Sequence, residues 1–133
     1  MRRRRFREGS GNMPTPRMVL TNFTVRKLDN TKGELDLAKE KWASGEFISS
    51  DDLWLATFEM NGETHHAGIR LGRRVDVAED INQIDIQLRV REEAFDADDF
   101  ITEWEVANIT RSVYDEFAKQ LPQYSNLSLT NQP

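Results

Sequence analysis

The clearest structural signal in the chain is a predicted hairpin near its middle, LWLATFEMNGETHHAGIRL at residues 53–71. Up to Met60 the side chains alternate, which is typical of a strand with one buried face. Asn61-Gly62 follows, and this dipeptide supplies the positive φ angles that a two-residue turn needs. Pairing across such a turn predicts one continuous apolar face. The predicted cross-strand pairs are Phe58 with His65, Ala56 with Ala67, and Trp54 with Ile69.

Further strands are predicted on both sides of this hairpin. Val19, Phe23 and Val25 recur at even spacing and indicate a first strand. The second arm of the hairpin continues through Leu71, with a bend or bulge expected at Gly68 or Gly72. A later strand has alternating inward and solvated positions. Its inward residues are Ile84, Ile86, Leu88 and Val90, and its outward residues are Asp85, Gln87, Arg89 and Arg91.

One segment between the predicted strands allows two readings. Leu35 and Leu37 suit a strand that returns after the turn at residues 29–33, whereas Leu35, Ala38 and Trp42 suit one short helix. The pattern does not decide between them.

The C-terminal part changes to a helical period. The apolar residues Val106, Ile109, Val113, Phe117 and Leu121 recur at spacings of three and four. They predict helix between Asp98 and Leu121, as one helix or as two with a break near residues 108–110. Pro122 should end it, and residues 124–133 are expected to be irregular. The predicted fold class is α+β: a mostly antiparallel meander sheet of four to six strands, followed by C-terminal helix or helices.

Charge divides the chain into a basic arm and an acidic body. In the first 17 residues six arginines face only Glu8, a charge of about +5, so the whole-chain value of -5 leaves about -10 for the remainder. The 133 residues suit one compact domain. We therefore predict a basic arm at 1–18, a single domain at 19–124 and a polar tail at 125–133.

The arm is the first candidate binding site, because mobile guanidinium groups neutralise phosphates without reading sequence. The alternatives are a solvated tail, an expression remnant or a contact with an acidic protein. Four more arginines fall on outward strand positions and would form a basic strip on the open sheet face, although ordinary cross-strand charge pairing is the alternative. The predicted nucleic-acid-binding residues are Arg2, Arg3, Arg4, Arg5, Arg7, Arg17, Arg70, Arg74, Arg89 and Arg91.

The apolar helix stripe is the second candidate site. A small body has more apolar helix positions than it needs to cover one sheet face, so part of the stripe is expected to contact another subunit. The predicted interface residues are Trp104, Val106, Ile109, Val113 and Phe117.

Catalytic and metal sites are not indicated. The chain has no cysteine, and adjacent strand residues such as His65 and His66 point to opposite faces, so they do not readily share one metal. The acidic cluster at residues 92–99 lacks the glycine and terminal glutamate of a calcium loop. No nucleophile elbow, phosphate loop or dinucleotide fingerprint appears. We expect no enzymatic activity and no cofactor.

Membrane insertion and export through a signal peptide are not expected, because the basic N-terminus lacks a following apolar run and no later stretch is long and apolar enough. A virion or cytoplasmic location is expected.

The order of elements from Val19 to Tyr124, with the helix ending in Gln120-Leu121-Pro122-Gln123-Tyr124, resembles the coat proteins of small single-stranded RNA phages. This resemblance implies a sheet that faces RNA, with Arg70, Arg74, Arg89 and Arg91 at the contact, and a dimer in which terminal helices interlock. The expected function is a viral or phage coat-like assembly protein that forms dimer-based homo-oligomers and binds nucleic acid. The alternatives are a small acidic inhibitor or immunity-type protein and a nucleic-acid accessory protein.

Overall fold

The computed structural model describes residues 18–42, 47–74, 83–95, 100–101 and 106–129, apart from the side chains of 47–51, 73–74 and 106–107. Within this part of the chain, five strands form one sheet in the order of the sequence. Neighbouring strands are antiparallel, except that the last lies parallel to the fourth. The α+β prediction is confirmed. The strands are β1 (Thr21–Lys27), β2 (Phe47–Met60), β3 (Glu63–Arg74), β4 (Gln83–Arg89) and β5 (Ser128–Leu129), and the helices are α1 (Glu34–Lys41) and α2 (Val106–Gln120).

The central hairpin has the predicted turn and the predicted register. Asn61 and Gly62 have φ angles of 54° and 80°, as a two-residue turn of this kind requires. All three predicted pairs between β2 and β3 are present. The register shifts in β2 between Ser49 and Leu53, on the strand opposite Gly72. At Gly68 the pairing is continuous, so the bend allowed there is absent.

Helix α2 covers one face of the sheet. Its buried side chains Val113, Tyr114 and Phe117 join apolar residues of β2, β3 and β4 in the main core. The Tyr114 hydroxyl lies 3.1 Å from the Tyr124 carbonyl oxygen and 3.0 Å from that of Leu127, and it accepts the Leu127 backbone N–H. From Val106 the helix runs without a break at residues 108–110, and a 3-10 turn, Pro122–Tyr124, follows it. The prediction that Pro122 ends the α-helix is confirmed.

Helix α1 covers part of the opposite face. The segment around Leu35, which the sequence left open, is helical, and the Trp42 backbone N–H caps it by donating to the Ala38 carbonyl. A second core forms under this helix, and it also takes in side chains that follow β4. Its buried members are Leu28, Ala38, Trp42, Leu53, Leu55 and Phe95, with Leu35 and Phe100 packed against them.

The solvated face predicted for β4 is wrong. Asp85 is 4% exposed and Arg89 is 2% exposed, because the second core covers the positions that alternation places opposite Ile84, Ile86 and Leu88. Alternation correctly separates the two faces but carries no information on what covers each one. Val90, predicted to point inward, lies beyond the strand and is exposed.

The C-terminal segment is only partly irregular. Ser128 and Leu129 form β5 beside Gln83 and Ile84, and Leu129 is buried in the main core. The prediction of an irregular tail is therefore wrong for these two residues. No helix in the described ranges has the length and apolar character to cross a membrane.

Candidate functional site

The predicted binding residues of the arm, Arg2, Arg3, Arg4, Arg5, Arg7 and Arg17, lie outside the described residues. Met18, the last residue of the predicted arm, is described, and we call it the root of the arm. The Met18 backbone N–H donates to Ser112 Oγ at 2.8 Å, and that hydroxyl donates to the Asn108 carbonyl of the preceding helical turn at 3.0 Å. Leu20 then packs against the main core. Met18 is therefore attached to α2.

A shallow cavity of about 300 Å³ lies at this root, lined by Met18, Ser112, Asp115, Glu116 and Lys119. Two of its side chains are carboxylates, and Lys119 pairs with Glu116 at 2.9 Å. The surroundings of the root are thus acidic, opposite in sign to the predicted arm.

Two arginines of the predicted basic strip, Arg70 and Arg89, do not lie on an open surface. Arg70 donates from Nε to Asp85 Oδ2 at 2.7 Å and from Nη1 to the Trp42 carbonyl, so it is held within the second core. Arg89 is buried, and Arg91 is exposed beyond the end of β4. Arg74 pairs with Phe47 in the sheet, and its side chain lies outside the description. The placement of Arg89 on an open face is wrong, because α1 and Phe95 cover that face.

Arg89 lies in a cage of aromatic rings. Its guanidinium carbon is 4.3 Å from the ring centroid of Trp42, 4.8 Å from that of Phe95 and 5.5 Å from that of Phe100. Gly68 forms the floor: a Cβ at this position would lie 2.1 Å from Arg89 Nη2, so only glycine leaves room. Cation–π contacts of this kind stabilise a guanidinium group, more strongly when it is shielded from water.

The cage offers this cation few hydrogen-bond acceptors. Arg89 Nη1 donates to the Glu92 carbonyl at 3.4 Å, whereas Nε and Nη2 are buried and have no partner among the described residues. Burial is the main cause that lowers the pKa of Arg89 to about 9, and the positive charge of Arg70 acts in the same direction. Asp85 opposes the shift, but it is already bonded by Arg70 and Gln87.

The two histidines lie on opposite faces, as predicted. His65 stacks on Phe58 with a centroid distance of 5.8 Å, and His66 Nδ1 lies 3.2 Å from Thr57 Oγ1. The described residues contain no group of histidine and carboxylate side chains suited to a metal ion.

The interface prediction does not fit two residues of the α2 stripe. Val113 and Phe117 are 0% exposed in the single chain, because they pack against the sheet of their own subunit. Ile109 is half-buried on the same core. Trp104 and the side chain of Val106 lie outside the described residues.

The arginine cage was missed by sequence reasoning, although signals for it exist. Gly68 of β3 pairs with Gln87, which lies two residues before Arg89 in β4. Phe95 and Phe100 are aromatic residues that follow β4 in the sequence. Strand glycines often mark a close approach of another group. The sequence did not show that Trp42, which lies 47 residues before Arg89, also packs against the guanidinium group.

Comparison of this chain with protein-family models, with curated proteins and with solved structures found no match.

Proposed function

We propose that this chain is a non-enzymatic, coat-like structural protein of a nucleic-acid assembly, in which the arginine-rich arm at residues 1–18 binds nucleic acid and the α+β body anchors the arm. The charge division of the sequence carries this proposal. About +5 lies in the arm and about -10 in the remainder. A polyanion is repelled by the body and attracted by the arm.

The ion pairs of the body support this division. Several of its cationic side chains are paired with body carboxylates and so offer little free positive charge to phosphates. These pairs are Arg26 with Glu34, Lys27 with Asp52, Arg70 with Asp85, and Lys119 with Glu116. The hydrogen bond from the root at Met18 to Ser112 supports an attachment of the arm to α2.

Deleting residues 2–17 tests the arm. The full chain should co-purify with nucleic acid and bind oligonucleotides with a steep salt dependence, and the deleted chain should do neither. Neutralising about six phosphates predicts a slope of log affinity against log salt of roughly -4 to -5. A matched variant with all six arm arginines changed to lysine keeps the charge and should keep most of this slope. Unchanged nucleic-acid content after deletion would exclude the arm as the binding element.

The native mass tests assembly separately. Light scattering after size exclusion should show large particles or dimer-based oligomers of the full chain. A stable monomer that binds oligonucleotides would favour an accessory protein. A stable monomer that binds none, and instead captures a basic protein through the acidic body, would favour the inhibitor-type alternative.

A further inference from the structure

Strand β1 lies at one end of the sheet, and among the described strands it has a neighbour on one side only. The Leu28 backbone N–H, just after β1, donates to the Leu53 carbonyl of β2 at 2.8 Å. Backbone groups alternate in direction along a strand, so Arg26 and Thr24 also face β2, and the N–H and carbonyl of Val25 point away from it. We call this outward row of backbone groups the β1 edge. An edge of this kind is a template on which a further strand can pair.

Gln120, the last residue of α2, reaches the β1 edge. Its Nε2 donates to the Phe23 backbone carbonyl at 3.0 Å, although the two residues are 97 positions apart in the chain. The Phe23 carbonyl and the Thr24 N–H belong to one trans peptide group and therefore point in opposite directions. Because the Thr24 N–H faces β2, the carbonyl that Gln120 holds is an acceptor of the β1 edge.

The two ends of the edge are obstructed in other ways. The register against β2 shifts near the start of β1, where Asn22 has a φ of 52°. At the other end of β1 lie the exposed residues Arg26 and Lys27. Bulges and charged side chains are two of the devices by which proteins keep edge strands from pairing. Between these ends lie the half-buried apolar residues Phe23 and Val25, and Gln120 contacts the edge at this apolar part.

A second copy of this chain fits the β1 edge by symmetry. Two antiparallel copies of β1 related by a two-fold axis at Val25 set Val25 opposite Val25, Thr24 opposite Arg26, and Phe23 opposite Lys27. No two like charges are then directly opposite, and Phe23 and Val25 of both copies lie on one face of the joined sheet. Such pairing uses the N–H and carbonyl of Val25 and also the Phe23 carbonyl.

We propose that Gln120 closes the β1 edge, because its amide occupies the Phe23 carbonyl and so blocks antiparallel pairing of β1 with β1 of a second copy. Gln120 is exposed and belongs to neither core, so its replacement removes this contact without removing buried apolar area. The closure is separate from the arm and does not depend on nucleic-acid binding.

Self-association of the full chain, measured by sedimentation over a range of concentrations after nuclease treatment, tests the closure. Gln120→Met removes the donor and keeps an unbranched side chain of similar length. Two hydrogen bonds, one in each copy, then no longer have to be broken for two chains to pair. The dissociation constant of the pair should fall by roughly 5-fold to 150-fold relative to the parent chain. An unchanged dissociation constant would overturn the proposal.

Hydrogen exchange at the Val25 amide locates the contact. This N–H points away from β2, so in the parent chain it should exchange rapidly at every concentration, also within a larger assembly that forms through other surfaces. In Gln120→Met it should become protected as the concentration rises. A Val25 amide that is already protected in the parent, or association of Gln120→Met that leaves this amide unprotected, would overturn the proposal.

Three further variants assign the effect to the Gln120 donor. Gln120→Lys keeps a donor on a long side chain and should behave as the parent. Lys119→Met places the same apolar side chain at the neighbouring exposed position and should not strengthen association. Val25→Pro, added to Gln120→Met, removes an N–H that the pairing of β1 with β2 does not use, and it should reverse the effect. Association of any of these three that matches Gln120→Met would overturn the proposal, since the added contact would then lie elsewhere.

Discussion

The two faces of the sheet are built from alternate residues of the same strands but use different physical chemistry. Under α2 the core consists of aliphatic and aromatic side chains, with Phe117 set edge-on to Trp54 and stacked on Tyr124. Under α1 the core includes the charged residues Arg70, Asp85 and Arg89 beside Trp42. The first face gains stability from buried apolar area. The second also buries charge, whose desolvation cost offsets part of that gain.

The two faces also differ in the polar groups that they bury. The core under α2 is built mainly from apolar side chains of the sheet and of α2, which offer few polar groups to a ligand. Buried side-chain nitrogens without a partner among the described residues occur on both faces: Trp54 Nε1 and His65 Nε2 lie on the α2 face, and Trp42 Nε1 and Arg89 Nε and Nη2 lie on the α1 face. Such groups in a folded protein call for an explanation by water, an ion or a ligand. The α1 face differs in that its unpartnered donors include those of a charged group, Arg89.

The largest expected effect is on the α2 face. Phe117→Ala should lower the free energy of unfolding by about 3–5 kcal/mol, because it removes a fully buried ring and leaves a cavity between Trp54 and Tyr124. Denaturant titration followed by tryptophan fluorescence measures this. Ile109→Ala, at a half-buried position of the same helix, should cost less. A Phe117→Ala loss below that of Ile109→Ala would contradict the packing of α2 on the sheet.

A smaller effect is expected on the α1 face. Gly68→Ala should cost about 1–3 kcal/mol, because the added Cβ would overlap the Arg89 guanidinium, which the rings of the cage prevent from moving aside. The measurement is the free energy of unfolding in the wild-type and Arg89→Ala backgrounds.

The Arg89→Ala background is the control for this steric effect. Once the guanidinium is gone, the same Gly68→Ala change should cost much less, giving a coupling energy of about 0.5–3 kcal/mol. Equal costs in both backgrounds would show that Gly68 is required for a reason other than Arg89.

The hairpin could be predicted residue by residue because its determinants are local. Asn61-Gly62 fixes the turn, the turn fixes the register, and alternation then assigns Trp54, Ala56 and Phe58 to one face. The order of the antiparallel strands and the end of α2 before Pro122 follow from equally local signals.

The Arg89 cage could not be predicted in the same way, because it depends on contacts distant in sequence. Strand alternation correctly places Arg89 on the other face of the sheet from Leu88 and Ile86. The burial of Arg89, however, depends on Trp42, which directly follows α1. The segment around Leu35 fitted strand and helix equally well, so the sequence did not show which element covers this face of the sheet. The short strand β5 was missed for the same reason, since Ser128 and Leu129 pair with residues more than 40 positions away.

The smallest expected effect concerns the attachment of α1. Arg26 donates to both carboxylate oxygens of Glu34 at 2.9 and 2.8 Å, and this hydrogen bonding is the main cause that lowers the pKa of Glu34 below its ordinary value of 4.5. A carboxyl group whose pKa is lower in the folded than in the unfolded chain stabilises the fold fully above its unfolded pKa. That stabilisation is lost as the pH falls through the folded pKa. Glu34→Gln should therefore cost about 0.2–1 kcal/mol at neutral pH, since Arg26 is partly exposed and water screens the pair.

The pH dependence distinguishes this ion pair from helix packing. The difference in unfolding free energy between wild type and Glu34→Gln should be constant above pH 4.5 and shrink below it, because the wild-type carboxyl group becomes protonated there. Glu92→Gln is the matched control: Glu92 lies 3.5 Å from Arg26 Nε in a single contact, so its removal should have a smaller effect. A Glu34→Gln difference that stays the same from pH 7 to pH 3 would mean that the charge of Glu34 does not hold α1 against β1, and that the apolar contacts of Leu35, Ala38 and Trp42 alone retain it.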